Sequence, residues 1–329
     1  TLVHHKLAQA RNEGLLTGWD RIRRPLIICG LPRTGSSLLH HLLSLDDLCR
    51  IPLAEELENP LDLLDSIGKP PQPSTKSHAF LDMIKTMIPD VLVAYPWIAY
   101  DEGHVEDIML LTSVGIYFSH LFWSELPHYH HFVENLTQQE WEHLYSAYRD
   151  LWTAMLSRKP CPDGGFCCMK AQQHVVGLKG MLRVFPDANI VLTHRNPVVT
   201  IASAASMYTW LSSLFSSVTT KAQVYNLSMR RHRVAIQRLL ELDDIPQQRL
   251  DVNYTNLVAD PIGTVKTIYE RFGYTYTTEF EERMQVWLLE HPQNKIGKHT
   301  YNVDQQAVSE LRPLLNEYAR RFGIDLNSQ

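Results

Sequence analysis

One stretch of the sequence decides the fold: Pro25-Leu-Ile-Ile-Cys-Gly-Leu-Pro-Arg-Thr-Gly-Ser-Ser-Leu-Leu39. Its first part, Leu26–Cys29, is a short apolar run, which is typical of a strand covered on both faces. Gly30 and Gly35 allow backbone angles that other residues resist. Leucines at helical spacing begin at Leu38. The stretch therefore predicts a buried strand, a tight loop and a helix whose free N–H groups are placed to bind an anion.

The loop differs from the common nucleotide-binding loop, G-x-x-x-x-G-K-[ST], in the position of its cation. The spacing from Gly30 to Gly35 fits that pattern, but Ser36 occupies the lysine position and the cation, Arg33, lies inside the loop. A nucleoside triphosphatase without that lysine loses its hold on the β- and γ-phosphates. The sequence thus favours a phosphate-binding loop and argues against an ordinary ATPase, GTPase or nucleoside kinase. A strand-to-helix turn without a ligand is the structural alternative.

Composition limits the possible partners and compartments. The net charge of −5 gives no support for a nucleic-acid partner, for which a basic domain is expected. The five cysteines, an odd number with Cys167 and Cys168 adjacent, do not fit the disulfide framework of a secreted protein, so we expect a cytoplasmic location. The most apolar segment, Ile108 to Trp123, is too short and too often interrupted to span a membrane.

Strand and helix signals alternate along the 329 residues, which predicts an α/β fold with a central parallel sheet flanked by helices. Later strands are expected at Gly165–Lys170, Asn189–Thr193 and Arg249–Tyr254, with a short one at Ile51–Leu53. Helices are expected at Trp141–Leu156 and His174–Phe185. We expect an N-terminal helix and linker over residues 1–24, a single domain over residues 25–329, and a helical insertion at about residues 54–160.

A second anion site is predicted where the strand ending at Thr193 meets the next helix. Arg195 follows that strand, Pro197 fits the first turn of a helix, and Ser203 lies about two helical turns further on. In open parallel sheets, ligands bind outside the carboxyl ends of the strands. Arg195 and Ser203 are therefore placed to bind a second phosphate, although a capped helix beside a surface arginine would look the same in sequence.

Taken together, these motifs resemble the sulfotransferase superfamily that uses 3′-phosphoadenosine 5′-phosphosulfate (PAPS), in its bacterial-type branch. That branch includes stand-alone and polyketide-synthase-embedded sulfotransferases. The resemblance extends over about residues 25–325 and rests on the following segments: the loop Pro32–Ser37, R-x-P-x(5)-S at Arg195–Ser203, K-x-P-x-H at Lys170–His174, Y-x-x-L-x-x-D-P at Tyr254–Pro261, G-x-H-x-Y at Gly297–Tyr301, and W-E-x-x-N-P at Glu55–Pro60. Two positions depart from the family pattern, because Gln172 replaces proline and Glu55 replaces tryptophan.

The resemblance implies a P-loop-like fold, PAPS as donor, 3′-phosphoadenosine 5′-phosphate (PAP) as product, and no metal. The acceptor would be a hydroxyl on a small or carrier-protein-bound molecule. The helical insertion would form an acceptor pocket, for which its aromatic side chains suggest an apolar acceptor: Tyr95, Trp97, Tyr100, Tyr117, Phe118 and Phe122. Donor-binding residues carried over from the family motifs are Arg33, Thr34, Gly35, Ser36, Ser37, Leu38, Arg195, Ser203, Tyr254, Lys298 and His299.

Four residues are implied in catalysis. Arg33 would stabilise the charge that develops on the leaving phosphate, and Lys170 would lie near the transferred sulfonate. His174 matches the family histidine near the reacting centre and is the preferred base, since imidazole titrates near neutrality. Glu56 is the rival base, or a residue that orients a base or holds Arg33.

Two further readings stay open at this stage. A protein of the same fold that binds the nucleotide without transferring sulfonate is the alternative function. The histidine-rich segment Pro127–His131 has no acidic or cysteine partner at ligand spacing, so we predict a polar loop there and no metal site.

Overall fold

A five-stranded sheet lies at the centre of the protein, with its strands in the order β2-β3-β1-β4-β5. The computed structural model describes residues 2–17, 22–57, 60–67, 85–89, 91–94, 127–213, 216–242, 247–292 and 299–327. The strands are β1 (Leu26–Gly30), β2 (Cys49–Arg50), β3 (Phe166–Lys170), β4 (Asn189–His194) and β5 (Arg249–Asn253). Every neighbouring pair is parallel, which confirms the predicted α/β fold.

Helices connect the strands and cover the sheet. In chain order they are α1 (Leu2–Asn12), α2 (Ser36–Ser44), α3 (Ala54–Leu57), α4 (Pro60–Asp65), α5 (Val91–Ala94), α6 (Pro127–Glu134), α7 (Gln138–Arg158), α8 (His174–Val184), α9 (Pro197–Ser213), α10 (Lys221–Leu240), α11 (Tyr254–Ala259), α12 (Pro261–Phe272), α13 (Thr278–Glu290), α14 (Gln305–Ser309) and α15 (Arg312–Phe322). None of the helices within the described ranges is both long and apolar enough to cross a membrane.

Strand β1 occupies the middle of the sheet, and its side chains pack into two hydrophobic cores, one on each face. Ile27 and Cys29 belong to the larger core on one face, whereas Leu26 and Ile28 belong to the core on the other face. This alternation follows from the two-residue period of a strand. It explains why the sequence of β1 is a continuous apolar run with no polar side. Helix α1 joins the larger core through buried residues including Leu7 and packs against α4 and α7.

The strand predictions over residues 165–170 and 189–193 are confirmed to within a residue, but two other predictions needed correction. The short strand predicted at Ile51–Leu53 is wrong, since β2 lies at Cys49–Arg50 and ends before Pro52, which has no N–H to donate to a ladder. Strand β5 ends at Asn253, and Tyr254 begins α11. The Asn253 side chain accepts a hydrogen bond from the Thr255 N–H and so caps that helix.

The polar loop predicted at Pro127–His131 is also wrong, because these residues form the first part of helix α6. Pro127 fits the first turn of a helix, and Val133 and His130 are buried on the inner face. The described part of the chain contains no group of three or more His, Cys, Asp or Glu residues that could hold a metal ion. The aromatic residues predicted to line an acceptor pocket lie outside the described residues.

Candidate active site

The loop between β1 and α2 packs closely against the neighbouring strand and helix. Gly30 has φ +148°, and a Cβ atom there would lie 2.4 Å from the carbonyl oxygen of Thr193 in β4. Gly35 is the N-cap residue of α2 with φ +85°, and its Cβ would lie 2.9 Å from Leu257 and 3.0 Å from Tyr254, both in α11. Both glycines are therefore required by close approach and by backbone angle. Gly35 has no side chain to cap α2, which leaves the first N–H groups of that helix for an anion.

Arg33 is held in a backbone conformation that is uncommon for a residue with a side chain, with φ +68°. Its Nε donates to the Ser203 Oγ at 3.2 Å, and one terminal nitrogen lies 3.8 Å from the sulfur of Met207, so the guanidinium lies along α9. Backbone conformations of this kind are found most often at functional sites, where the surrounding structure enforces them.

The Thr34 side chain connects the loop to the neighbouring strand β4. Its hydroxyl donates to the Leu31 carbonyl at 2.7 Å and lies 2.6 Å from the Thr193 hydroxyl, and its side chain is fully buried. This hydroxyl, which the sequence suggested for phosphate binding, is thus engaged in joining the loop to β4. Any contact of Thr34 with a ligand would come from its backbone N–H.

Lys170 brings a buried positive charge to the start of α2. It ends β3, is fully buried, and donates from Nζ to the Ser37 Oγ at 3.2 Å. A buried ammonium group is costly unless it is paired with polar or charged groups. Its position at the N-terminus of α2 adds to the positive potential of the loop.

Arg195 meets the loop from the carboxyl end of β4. One terminal nitrogen donates to the Arg33 carbonyl at 3.2 Å, and the guanidinium lies over the Tyr254 ring at 4.0 Å. Its Nε is buried and has no hydrogen-bond partner among the described residues. Since buried N–H groups are nearly always satisfied, this donor is a candidate for binding an anion.

His299 completes the group from the C-terminal part of the chain. Its Nδ1 lies 3.4 Å from the Ser203 Oγ and its Nε2 lies 3.1 Å from the Ser206 Oγ, so the ring bridges two serines of α9. Burial, together with the nearby charge of Arg33, lowers the pKa of His299 to about 4. The ring is therefore neutral near pH 7 and acts as a hydrogen-bonding group. Lys298, predicted beside it, lies outside the described residues.

The two candidate bases lie in different surroundings. His174 is fully buried at the start of α8, with its Nδ1 3.1 Å from the Tyr145 hydroxyl and its ring against Tyr145 and Tyr148 of α7. Glu56 is also buried, and its carboxylate pairs with Arg50 and accepts the Leu53 N–H at 2.8 Å. Glu56 thus holds Arg50 rather than Arg33.

The structure brings most of the predicted site residues together at the carboxyl ends of β1, β3 and β4. Arg33 contacts Ser203, which in turn contacts His299. Arg195 contacts Arg33 and Tyr254, and Lys170 contacts Ser37. Sequence reasoning missed Thr193, Arg50 and Tyr145. Of these, only Tyr145 carried a signal, since it lies in the helix predicted at Trp141–Leu156. Its contact with His174 depends on the tertiary packing of α7 against α8.

Comparisons with known proteins identify the family to which the chain belongs. The model of the sulfotransferase family matches residues 25–278. The chain is 22% identical over 318 residues to the omega-hydroxy-beta-dihydromenaquinone-9 sulfotransferase Stf3 of Mycobacterium bovis. The alignment covers 92% of this chain and 75% of the relative.

Two solved structures share the fold. The sulfotransferase STF9 of Mycobacterium avium superposes with a TM-score of 0.78 at 23% identity, covering 99% of this chain and 83% of its own. The sulfotransferase STF1 of Mycobacterium tuberculosis H37Rv gives a TM-score of 0.67 at 21% identity, covering 98% of this chain and 81% of its own. The chain is therefore a member of the sulfotransferase family, of bacterial type, with the P-loop-like fold of these enzymes.

Proposed function

We propose that the protein transfers a sulfonate group from PAPS to a hydroxyl of a small, apolar acceptor. The observation that carries this proposal is the meeting of Arg33 and Arg195. Two arginines that follow neighbouring strands are joined by the hydrogen bond from the Arg195 guanidinium to the Arg33 backbone carbonyl. A nucleotide with phosphates on both its 5′ and 3′ positions needs two cationic sites, whereas ATP does not need the second.

The residues at these strand ends fit such a donor. The loop offers the N–H groups of α2 and the Arg33 side chain for the 5′ side of the nucleotide. Arg195 offers a buried Nε without a partner among the described residues, and the Tyr254 ring fixes the plane of its guanidinium. Arginine suits this role because its fork of N–H donors matches phosphate oxygens and stays charged at any working pH.

When bound, the donor would supply a sulfonate carried on a phosphate leaving group. The chain's own contribution is electrostatic. Arg33, the N–H groups of α2 and the Lys170 ammonium concentrate positive charge where the leaving phosphate becomes more negative. These groups are fixed before reaction by Ser203, by the glycine contacts and by Ser37, so little reorganisation accompanies the chemical step.

We propose His174 as the base that takes the acceptor's proton. In the tautomer whose Nδ1–H donates a hydrogen bond to the Tyr145 oxygen, the lone pair of the imidazole lies on Nε2, which is the form a general base needs. Glu56 is less suited, since one of its oxygens is engaged by Arg50 and the other by the Leu53 N–H.

We expect His174→Ala to lower kcat by about a hundredfold to a thousandfold, the usual contribution of general-base catalysis, with little change in the KM for the donor. Steady-state kinetics at saturating donor measure this change. Tyr145→Phe is the matched control, because it removes only the hydroxyl at Nδ1, and a smaller loss is expected. A His174→Ala enzyme with near-normal kcat would rule out His174 as the base, and Glu56→Gln would then be tested.

Arg195→Ala should mainly weaken donor binding. We expect the KM for PAPS to rise by about tenfold to a hundredfold, because a buried charge-assisted contact with a phosphate is lost, while kcat falls much less. Arg183→Ala serves as the control, since that arginine is 70% exposed on α8. If Arg195→Ala lowered kcat and left the KM for the donor unchanged, the assignment of Arg195 to a donor phosphate would be wrong.

An apolar acceptor is supported by the name of the relative Stf3, which describes a hydroxylated menaquinone as its substrate. Incubation with radiolabelled PAPS and a panel of alcohols, from short alkanols to prenylated and carrier-protein-bound ones, tests the proposal. Transfer to an apolar alcohol supports the full proposal. Binding of PAP without transfer to any acceptor would favour a nucleotide-binding protein instead.

A further inference from the structure

Three polar side chains next to Arg195, those of His194, Tyr318 and Asp251, are joined by hydrogen bonds. His194, the residue before Arg195, is 2% exposed. Its Nδ1 lies 2.8 Å from the Tyr318 hydroxyl and its Nε2 lies 2.9 Å from Asp251 Oδ1. The imidazole also stacks on Phe322, with ring centroids 4.2 Å apart and planes 19° from parallel. Two residues of the C-terminal helix α15 thus hold the ring from one side, and β5 holds it from the other.

The charge states of His194 and Asp251 decide which atom donates in each of these hydrogen bonds. Burial lowers the pKa of His194, so the imidazole is neutral near pH 7 and carries one N–H. Burial alone would raise the pKa of Asp251, but the His194 hydrogen bond and the nearby Arg249 lower it overall, which leaves an ionised carboxylate that only accepts. His194 Nε2–H therefore donates to Asp251, and His194 Nδ1 accepts a hydrogen bond from the Tyr318 hydroxyl.

The hydrogen bond from the Tyr318 hydroxyl thus holds the side chain of His194, the residue directly before Arg195 in the sequence. The residue after Arg195 is tied to the same part of the chain, since the Asn196 side chain donates to the Leu326 carbonyl at 2.9 Å. The backbone on both sides of Arg195 is therefore anchored to the C-terminal segment, far from the residue in sequence.

We infer that Tyr318 is a positioning residue for donor binding. Its hydroxyl, together with Asp251, holds the ring of His194 and thereby fixes the backbone that leads into Arg195. This inference rests on the proposed function, because it assumes that Arg195 binds a donor phosphate. The guanidinium reaches the Arg33 carbonyl at 3.2 Å and the Tyr254 ring at 4.0 Å only while its backbone is held in place. Loosening His194 should therefore weaken phosphate binding without removing any group that touches the nucleotide.

The test is calorimetric titration of the full chain with PAP. Tyr318→Phe keeps the ring that packs on His194 and Phe322 and removes only the hydroxyl. We expect its Kd for PAP to rise about fivefold, the effect of one hydrogen bond of ordinary strength. At saturating donor, kcat should stay within about twofold, since the reacting groups are untouched.

Tyr269→Phe is the matched control. It removes another buried tyrosine hydroxyl, one that donates to Asp46 Oδ2 at 2.6 Å in the core on the opposite face of the sheet. It should lower stability by a similar amount and leave the Kd for PAP unchanged. Asp251→Ala gives a second, independent variant at a partly exposed side chain, 39% exposed, and should also raise the Kd because His194 loses its acceptor.

A double-mutant cycle separates positioning from general destabilisation. In an Arg195→Ala background, Tyr318→Phe should have no further effect on the Kd for PAP, because the residue that it positions is gone. An unchanged Kd in both Tyr318→Phe and Asp251→Ala, or a Tyr318→Phe effect that adds fully to that of Arg195→Ala, would overturn the inference. Failure of the wild-type protein to bind PAP would instead overturn the proposed function, and this inference with it.

Discussion

Replacing Arg33 by alanine is expected to lower kcat by about a thousandfold or more. Removing a single neutral donor from an oxyanion site already costs about a hundredfold to a thousandfold, and Arg33 contributes a full charge with several donors. Its guanidinium is held by a hydrogen bond to Ser203 at 3.2 Å. Single-turnover kinetics with prebound PAPS measure the chemical step directly. A rate within about tenfold of the wild-type rate would show that Arg33 does not stabilise the leaving group.

Two further variants at this position separate charge from fold. Arg33→Lys keeps the charge but not the fork of donors, and should be intermediate in rate. The Arg33→Gly enzyme should be as slow as the Arg33→Ala enzyme. Its free energy of unfolding should be larger than that of Arg33→Ala by about 1 kcal/mol, because glycine adopts a positive φ with little strain. Arg33 has φ +68°, so opposite effects of Arg33→Gly on stability and rate would indicate that the strained backbone is retained for function.

The second large effect is expected at Gly30, where alanine should destabilise the fold by about 3–5 kcal/mol. The new Cβ would lie 2.4 Å from the Thr193 carbonyl oxygen, at φ +148°, between two central strands of the sheet. Neither strand can move without breaking its other ladder. Urea denaturation followed by circular dichroism measures the loss, which is a large part of the stability of an ordinary domain.

Gly164→Ala is the control for the Gly30 prediction. Gly164 has φ +75°, and a Cβ atom there would meet no atom within 4 Å. It therefore isolates the backbone strain of a positive φ, for which we expect about 1 kcal/mol. If Gly30→Ala were no more destabilising than Gly164→Ala, the close approach of β1 and β4 would not be a determinant of stability.

Local patterns in the sequence were sufficient for the central elements of the fold. The apolar run of β1, the glycines of the loop and the leucine spacing of α2 each report a constraint that acts within a few residues. Predictions failed where one residue changes the outcome, as when Pro52 ends β2 early or Asn253 caps α11 and moves Tyr254 from strand to helix. Such effects depend on backbone hydrogen bonds that residue types only suggest.

In the candidate site, too, the residues were predictable from the sequence but their contacts were not. Residue types and spacing predicted Arg33, Arg195 and Ser203 as site residues, whereas Lys170 and His299 were implied by the family resemblance. In the structure, hydrogen bonds join Arg33 to Ser203 and to Arg195, and Ser203 to His299. Their partners were not predictable, because Arg33 meets Ser203 and His194 meets Tyr318 across long separations in sequence. The carboxylate of Glu56 is a similar case, since its pairing with Arg50 depends on the path of the chain after β2.

The central claim is that Arg195 and the Arg33 loop bind a nucleotide with both a 5′ and a 3′ phosphate. Calorimetric titration of the wild-type protein and Arg195→Ala with PAP and with adenosine 5′-phosphate tests it most directly. We expect the wild-type protein to bind PAP at least about tenfold more tightly than the monophosphate, and Arg195→Ala to lose most of that preference. Equal affinities of the wild-type protein for the two nucleotides, or a preference that survives Arg195→Ala, would contradict the account.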